Sequence, residues 1–215
     1  MVKASAASFT GVFTALVTPM RAGDGGPVVD DAGLARLVEV QVAAGVQSLV
    51  ACGTTGEAAT LTAEEQARVV RVVVEAAAGR VPVLAGVGSP STTTSLSLGK
   101  AALSVGATGL LAVTPYYNRP PQEGLFQHFA ALCSLGAPIV LYNVPGRTGC
   151  DLLPETVARL VERPEIVALK EASGSVLRMQ SLSRLVGQRL SLLSGEDALN
   201  FPLYAVGASG TVSVL

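Results

Sequence analysis

Ser48-Leu49-Val50-Ala51-Cys52-Gly53-Thr54-Thr55-Gly56-Glu57, running on to Thr62-Ala63-Glu64-Glu65, holds a strand, a loop and the start of a helix in one short stretch. The run Ser48–Cys52 is apolar at successive positions, the pattern of a strand covered on both faces rather than one alternating between core and water. Glycines on either side of Thr54-Thr55 mark the turn that ends it. Thr62 with Glu65 three positions later is a capping box, and it opens a helix over Thr62–Ala78.

The same unit recurs in both directions along the chain. Gly11–Val17, Ser48–Cys52, Val81–Val87, Gly109–Val113, Pro138–Asn143, Ile166–Leu169, Leu190–Ser194 and Gly207–Val214 read as strands. Asp30–Ala44, Thr62–Ala78 and Pro154–Val161 are long enough for crossover helices and begin with capping or first-turn residues. Strands separated by helices pair in parallel through right-handed crossovers, and eight such units close as an α/β (β/α)8 TIM barrel. An open doubly wound sheet is the competing architecture. Gly86-Val87-Gly88 lacks the third glycine of a dinucleotide fingerprint, and no Walker A sequence is present. Beyond the strand–helix alternation there is no tandem repeat.

With 215 residues the chain is expected to form a single domain, 1–215, ending after the eighth strand. Only 14% of residues are charged while 49% are hydrophobic, which calls for elements covered on both faces or for subunit contacts. A net charge of −1 without a Lys/Arg cluster gives no footprint for nucleic acid or an anionic membrane. Partners are therefore expected to be small molecules and further copies of the chain. Cys52, Cys133 and Cys150 are widely spaced and His128 is the only histidine, so the expectation is a reducing cytoplasm and no metal. The uncharged stretch from Val81 to Gly99 contains Pro82, Pro90 and many Ser/Thr residues, a poor membrane span. Around Lys3 no continuous apolar region precedes a cleavage site, so no targeting segment is assigned.

Polar groups collect just past the strands: Thr54-Thr55, Tyr116-Tyr117, Tyr142 and Lys170. In a barrel these ends converge on the carboxyl-terminal rim, where barrel enzymes do their chemistry. Lys170 closes the apolar run Ile166-Val167-Ala168-Leu169 and precedes Glu171-Ala172-Ser173-Gly174. An amine desolvated there loses stability as the ammonium ion, so its pKa falls and its lone pair is freed to attack a carbonyl carbon. The alternative at this position is a lysine that snorkels to water. His128 falls in a helix expected over Gln122–Leu135 and is read as a helix-surface residue. No Gly-x-Ser-x-Gly elbow accompanies it, which excludes a serine hydrolase of that type.

Four ordered motifs, Gly53-Thr54-Thr55-Gly56-Glu57, Thr114-Pro115-Tyr116-Tyr117-Asn118, Tyr142-Asn143-Val144-Pro145-Gly146-Arg147-Thr148-Gly149 and Leu169-Lys170-Glu171, resemble the dihydrodipicolinate synthase family from about Phe9 to Val214. The resemblance implies a barrel that condenses pyruvate with L-aspartate-4-semialdehyde in lysine and diaminopimelate biosynthesis, with no cofactor. It implies that Lys170 forms an imine with pyruvate and that Tyr142 shuttles protons, with Thr55 bridging it to Tyr117. In the family Tyr117 reaches the neighbouring subunit's site, in a homotetramer built from tight dimers. A chain of hydroxyls suits such transfer because each donates and accepts at once. Thr54 and Thr55, with the amides of their turn, would hold the pyruvate carboxylate, and Arg147 would grip the carboxylate of the semialdehyde. Arg147 separates this reading from other pyruvate-dependent aldolases, such as those acting on N-acetylneuraminate. Gly195 and Val212 align with pocket-lining positions of the family.

Two departures from the family pattern stand out. Ala58, Ala63, Gln66, Pro90 and Thr94 occupy places whose polar side chains bind inhibitory lysine in many bacterial members, so weak feedback inhibition is expected although Tyr116 remains. Family chains also continue past the eighth strand with a last barrel helix and a helical C-terminal domain. Ending at Leu215 is expected to leave the eighth strand uncovered on its outer face, so an inactive remnant is the alternative to a working enzyme.

Overall fold

The computed structural model describes residues 9–214. The stretch around Lys3, on which the absence of a targeting segment is read, lies outside the described residues. Eight parallel strands close into a barrel: β1 Gly11–Ala15, β2 Ser48–Ala51, β3 Val83–Gly86, β4 Gly109–Val113, β5 Ile139–Asn143, β6 Ile166–Glu171, β7 Ser191–Ser194 and β8 Gly210–Ser213. Each strand lies beside its sequence neighbours, and β8 closes on β1 with Gly11 opposite Gly210. The open-sheet alternative is thereby excluded. Around the barrel run α1 Asp31–Ala43, α2 Ala63–Ala77, α3 Thr92–Ser104, α4 Gln122–Leu132, α5 Pro145–Thr148, α6 Pro154–Leu160, α7 Val176–Val186 and α8 Asn200–Ala205. A short antiparallel ribbon, Met20–Arg21 with Val28–Val29, lies between β1 and α1.

Local chemistry sets the helix starts. Asp30 accepts the Gly33 N–H at 3.0 Å and so caps α1, while Thr62 and Glu65 form the reciprocal capping box of α2. Ser91 and Ser175 cap α3 and α7 in the same way, and Pro154 begins α6.

The core has two concentric layers. Phe13, Val50, Leu84, Leu111, Val140, Leu193 and Val212 fill the barrel, while Leu49, Leu110, Leu141 and Leu169 point outward against Leu34, Val73, Phe129 and Leu182 of the helices. Both faces of the strands are therefore apolar, which accounts for the continuous runs in the sequence and much of the low charge. Gly86 is demanded by close approach: a Cβ there would lie 2.0 Å from the Cys52 carbonyl oxygen.

One irregularity positions the site. The β5–β6 ladder pairs Ile139 with Ile166 but Val140 with Ala168, so β6 carries an extra residue, Val167. Beyond this bulge Tyr142 stands opposite Lys170 and Asn143 opposite Glu171. The expected exposure of β8 is corrected by the structure. All four residues of β8 are buried, and the Thr211 hydroxyl bonds the Ser194 carbonyl. Exposure at this seam falls instead on Val12, at 42%, and Val214, at 59%.

Candidate active site

The carboxyl ends of the strands surround a cavity of about 680 Å3. Ala15, Val50, Leu111 and Val212 form its apolar floor and wall, and Thr54, Thr55, Tyr142, Arg147, Lys170 and Asp197 bring the polar atoms. These polar residues come from four strand ends or the loops after them, so only barrel closure brings them together. Thr54 and Thr55 follow β2, and α5 carries Arg147 just beyond β5.

Lys170 is only 6% exposed, and its Nζ lies 4.3 Å from the centroid of the Tyr142 ring. Loss of hydration lowers the amine pKa from 10.5 to about 8; the Asp197 carboxylate opposes that fall and the Arg147 guanidinium adds to it. Such a drop raises the neutral fraction at pH 7 from about one in 3000 to about one in ten. The snorkelling alternative does not hold, because the side chain runs inward. Burial pushes the Tyr142 phenol up, while a hydrogen bond with Thr54 and the charge of Arg147 pull it back.

Thr54 is the threonine that lowers the Tyr142 phenol, and Thr55 stands next to it on the cavity wall. Both threonines line the cavity, and neither of their amide N–H groups makes a backbone hydrogen bond among the described residues. The turn itself is held by Gly56 N–H to Gly53 C=O at 3.1 Å and by the Thr18 hydroxyl on the Gly56 carbonyl. Gly195 belongs to the site because a Cβ there would sit 3.0 Å from Lys170 Cε and 2.8 Å from Ala172 Cβ. Tyr117 does not reach this cavity: it is 91% exposed, with a left-handed backbone at φ 70°.

Three neighbouring residues have no role assigned from the sequence. Asp197 lies in the loop three residues past β7, where the rule that polar groups follow strands would have found it. Asn143 and Glu171 face away from the cavity, both buried, and no linear spacing relates them. Asn143 Nδ2 donates to Glu171 Oε2 at 3.1 Å and to Asp151 Oδ1 at 3.0 Å. Arg178 pairs with Asp151, and the Ser173 N–H donates to Glu171 Oε1 at 2.7 Å. Burial raises the Glu171 pKa, opposed by hydrogen bonds from Ser173 and Asn143 and by the charge of Arg178.

His128 is also corrected. It is 4% exposed, its Nδ1 lies 2.9 Å from the Thr92 hydroxyl, and its ring meets Phe129 edge-on. Leu125, His128, Phe129 and Leu132 all bury the same helix face, a spacing visible in the sequence. Among the described residues no group of three His, Cys, Asp or Glu side chains could hold a metal ion. No helix there is long and apolar enough to cross a membrane.

A closed parallel barrel with a desolvated lysine facing a tyrosine at its carboxyl-terminal mouth defines a class of protein equipped for imine chemistry on carbonyl compounds. A model of the dihydrodipicolinate synthetase family matches residues 8–215, and the chain belongs to that family. It is 48% identical over 208 residues to the 4-hydroxy-tetrahydrodipicolinate synthase of Pelobacter propionicus, covering 96% of this chain and 70% of that protein. The pyruvate complex of the chloride-inhibited dihydrodipicolinate synthase from Acinetobacter baumannii matches with a TM-score of 0.91 and 45% identity, over 95% of this chain and 70% of that one. The lysine-bound enzyme from Cyanidioschyzon merolae matches with a TM-score of 0.92 and 42% identity, over 96% and 70%.

Proposed function

We propose that this chain is a 4-hydroxy-tetrahydrodipicolinate synthase that condenses pyruvate with L-aspartate-4-semialdehyde through a Schiff base at Lys170. The observation that carries the reading is the buried Lys170 amine, lowered to about 8 and set against Tyr142 at the barrel mouth. The neutral amine attacks the keto carbon of pyruvate, and loss of water leaves a protonated imine. That imine draws electrons from the methyl group, which gives up a proton to form an enamine. The enamine adds to the aldehyde carbon. The substrate amine then attacks the imine carbon, closing the ring and releasing Lys170.

Tyr142 carries protons through these steps, its hydroxyl bonded to Thr54. The free amides of Thr54 and Thr55 hold the pyruvate carboxylate, and Arg147, exposed at the rim, receives the carboxylate of the semialdehyde. Gly195 and Val212 shape the wall beside the imine. Tyr117, exposed on one chain, serves the site of a second copy in a homodimer or homotetramer in the cytoplasm. An adjoining cavity of about 400 Å3 includes Ala58, Gln66, Thr94 and Tyr116. Ala58 offers a bound lysine no hydrogen bond there, so lysine binds weakly, and a lysine titration of turnover is expected to show little inhibition; strong inhibition would overturn this.

Borohydride trapping with pyruvate, followed by peptide mass spectrometry, tests the central step. A pyruvate adduct on Lys170, absent in Lys170→Ala and forming faster as pH rises to about 8, is expected. A folded chain that gives no adduct refutes the reading.

A further inference from the structure

We infer that Asn143 and Glu171, on the outer face of the barrel, are positioning residues that hold Tyr142 and Lys170 opposite one another inside it. The inference rests on the proposed roles of Lys170 and Tyr142.

The bulge at Val167 leaves the register of β5 and β6 to be fixed again further along. A one-residue slip would turn Lys170 out of the cavity and Glu171 into it, since successive side chains point to opposite faces. Apolar packing resists such a slip weakly here, because the paired residues at this end are Tyr142 with Lys170 and Asn143 with Glu171. The polar bonds are specific. Asn143 Nδ2 spans to Glu171 Oε2 at 3.1 Å, and the Ala172 N–H returns to the Asn143 carbonyl at 2.9 Å. Glu171 Oε1 takes the Ser173 N–H, which fixes the loop after β6.

The clamp is anchored from outside as well. Asn143 Oδ1 accepts the Leu152 N–H at 3.0 Å, and its Nδ2 reaches Asp151, whose second oxygen pairs with Arg178 at the start of α7. Every polar atom of the Asn143 amide and the Glu171 carboxyl is thus used in holding strand ends together, and none faces the cavity. Buried polar groups that are fully paired specify one arrangement, and half-paired ones do not. Glu171→Gln keeps the shape but offers a single acceptor to two donors. A reacting pair displaced by about 1 Å loses on the order of 100-fold in rate.

The test follows pyruvate imine formation, trapped by borohydride, in the 215-residue chain. Glu171→Gln is expected to lower the saturating rate by about 10- to 100-fold while the pyruvate concentration at half-rate moves by less than about threefold. A folded Glu171→Gln chain that traps pyruvate at the wild-type rate, or one in which rate and half-rate concentration change together, overturns the inference and leaves the functional reading intact. If Glu171→Gln does not fold, Glu171→Asp, which keeps the charge but shortens the reach, must show the same selective loss of rate. Absence of any adduct in the wild-type chain overturns the functional reading and this inference together.

Discussion

A methyl group at position 195 would meet Lys170 Cε at 3.0 Å and Ala172 Cβ at 2.8 Å, so the smallest side-chain addition in the molecule falls on the reacting amine. Overpacking of this kind costs roughly 1–3 kcal/mol, and here the group that must yield is the nucleophile. Gly195→Ala is expected to fold with a lowered melting temperature and to trap pyruvate at least about tenfold more slowly. Trapping at the wild-type rate would mean that Lys170 has more freedom than its buried setting indicates. The motif around Lys170 was legible in the sequence, but the need for glycine at 195 was not, because the atoms that exclude a side chain come from β6 and the residue just after it.

At the scale of elements, α3 and α4 are joined by the buried Thr92–His128 contact. Burial lowers the His128 pKa from 6.5 to about 4, so the folded chain refuses a proton that the unfolded chain accepts between those values. Stability from this residue is present above pH 6.5 and is lost as pH falls toward 4, by up to about 3 kcal/mol. Denaturant melts of wild type and His128→Asn from pH 7 to pH 4 are expected to show a shallower acid decline in the variant. Parallel declines would show that His128 titrates normally. The sequence placed the helix correctly over this segment but put His128 on its surface, since a lone polar residue on an apolar face has no local sign of its partner.

For the molecule as a whole, Tyr117 is the outlier: a tyrosine 91% exposed in a left-handed conformation, tied by its N–H to the Thr148 carbonyl at 3.3 Å. Holding a bulky residue there costs on the order of 1–3 kcal/mol, which a contact with a second copy would offset. If Tyr117 completes a partner's site, activity per chain falls on dilution as oligomers dissociate, and Tyr117→Phe loses turnover without changing the sedimentation coefficient. Activity independent of concentration, in a chain that sediments as a monomer, would remove that role.

The eight strands and the helices between them were legible because each is written locally, in apolar runs about as long as a strand and in caps such as Thr62 with Glu65. Lys170, Tyr142, Thr54, Thr55 and Arg147 stood out because they lie in short motifs at strand ends. What only the tertiary structure decided was how those ends meet. The extra residue in β6 sets Lys170 against Tyr142, and Asn143 and Glu171 join behind them. Strand register and cross-strand hydrogen bonds depend on pairing between segments far apart in the chain, and no local pattern of residues encodes that pairing by itself.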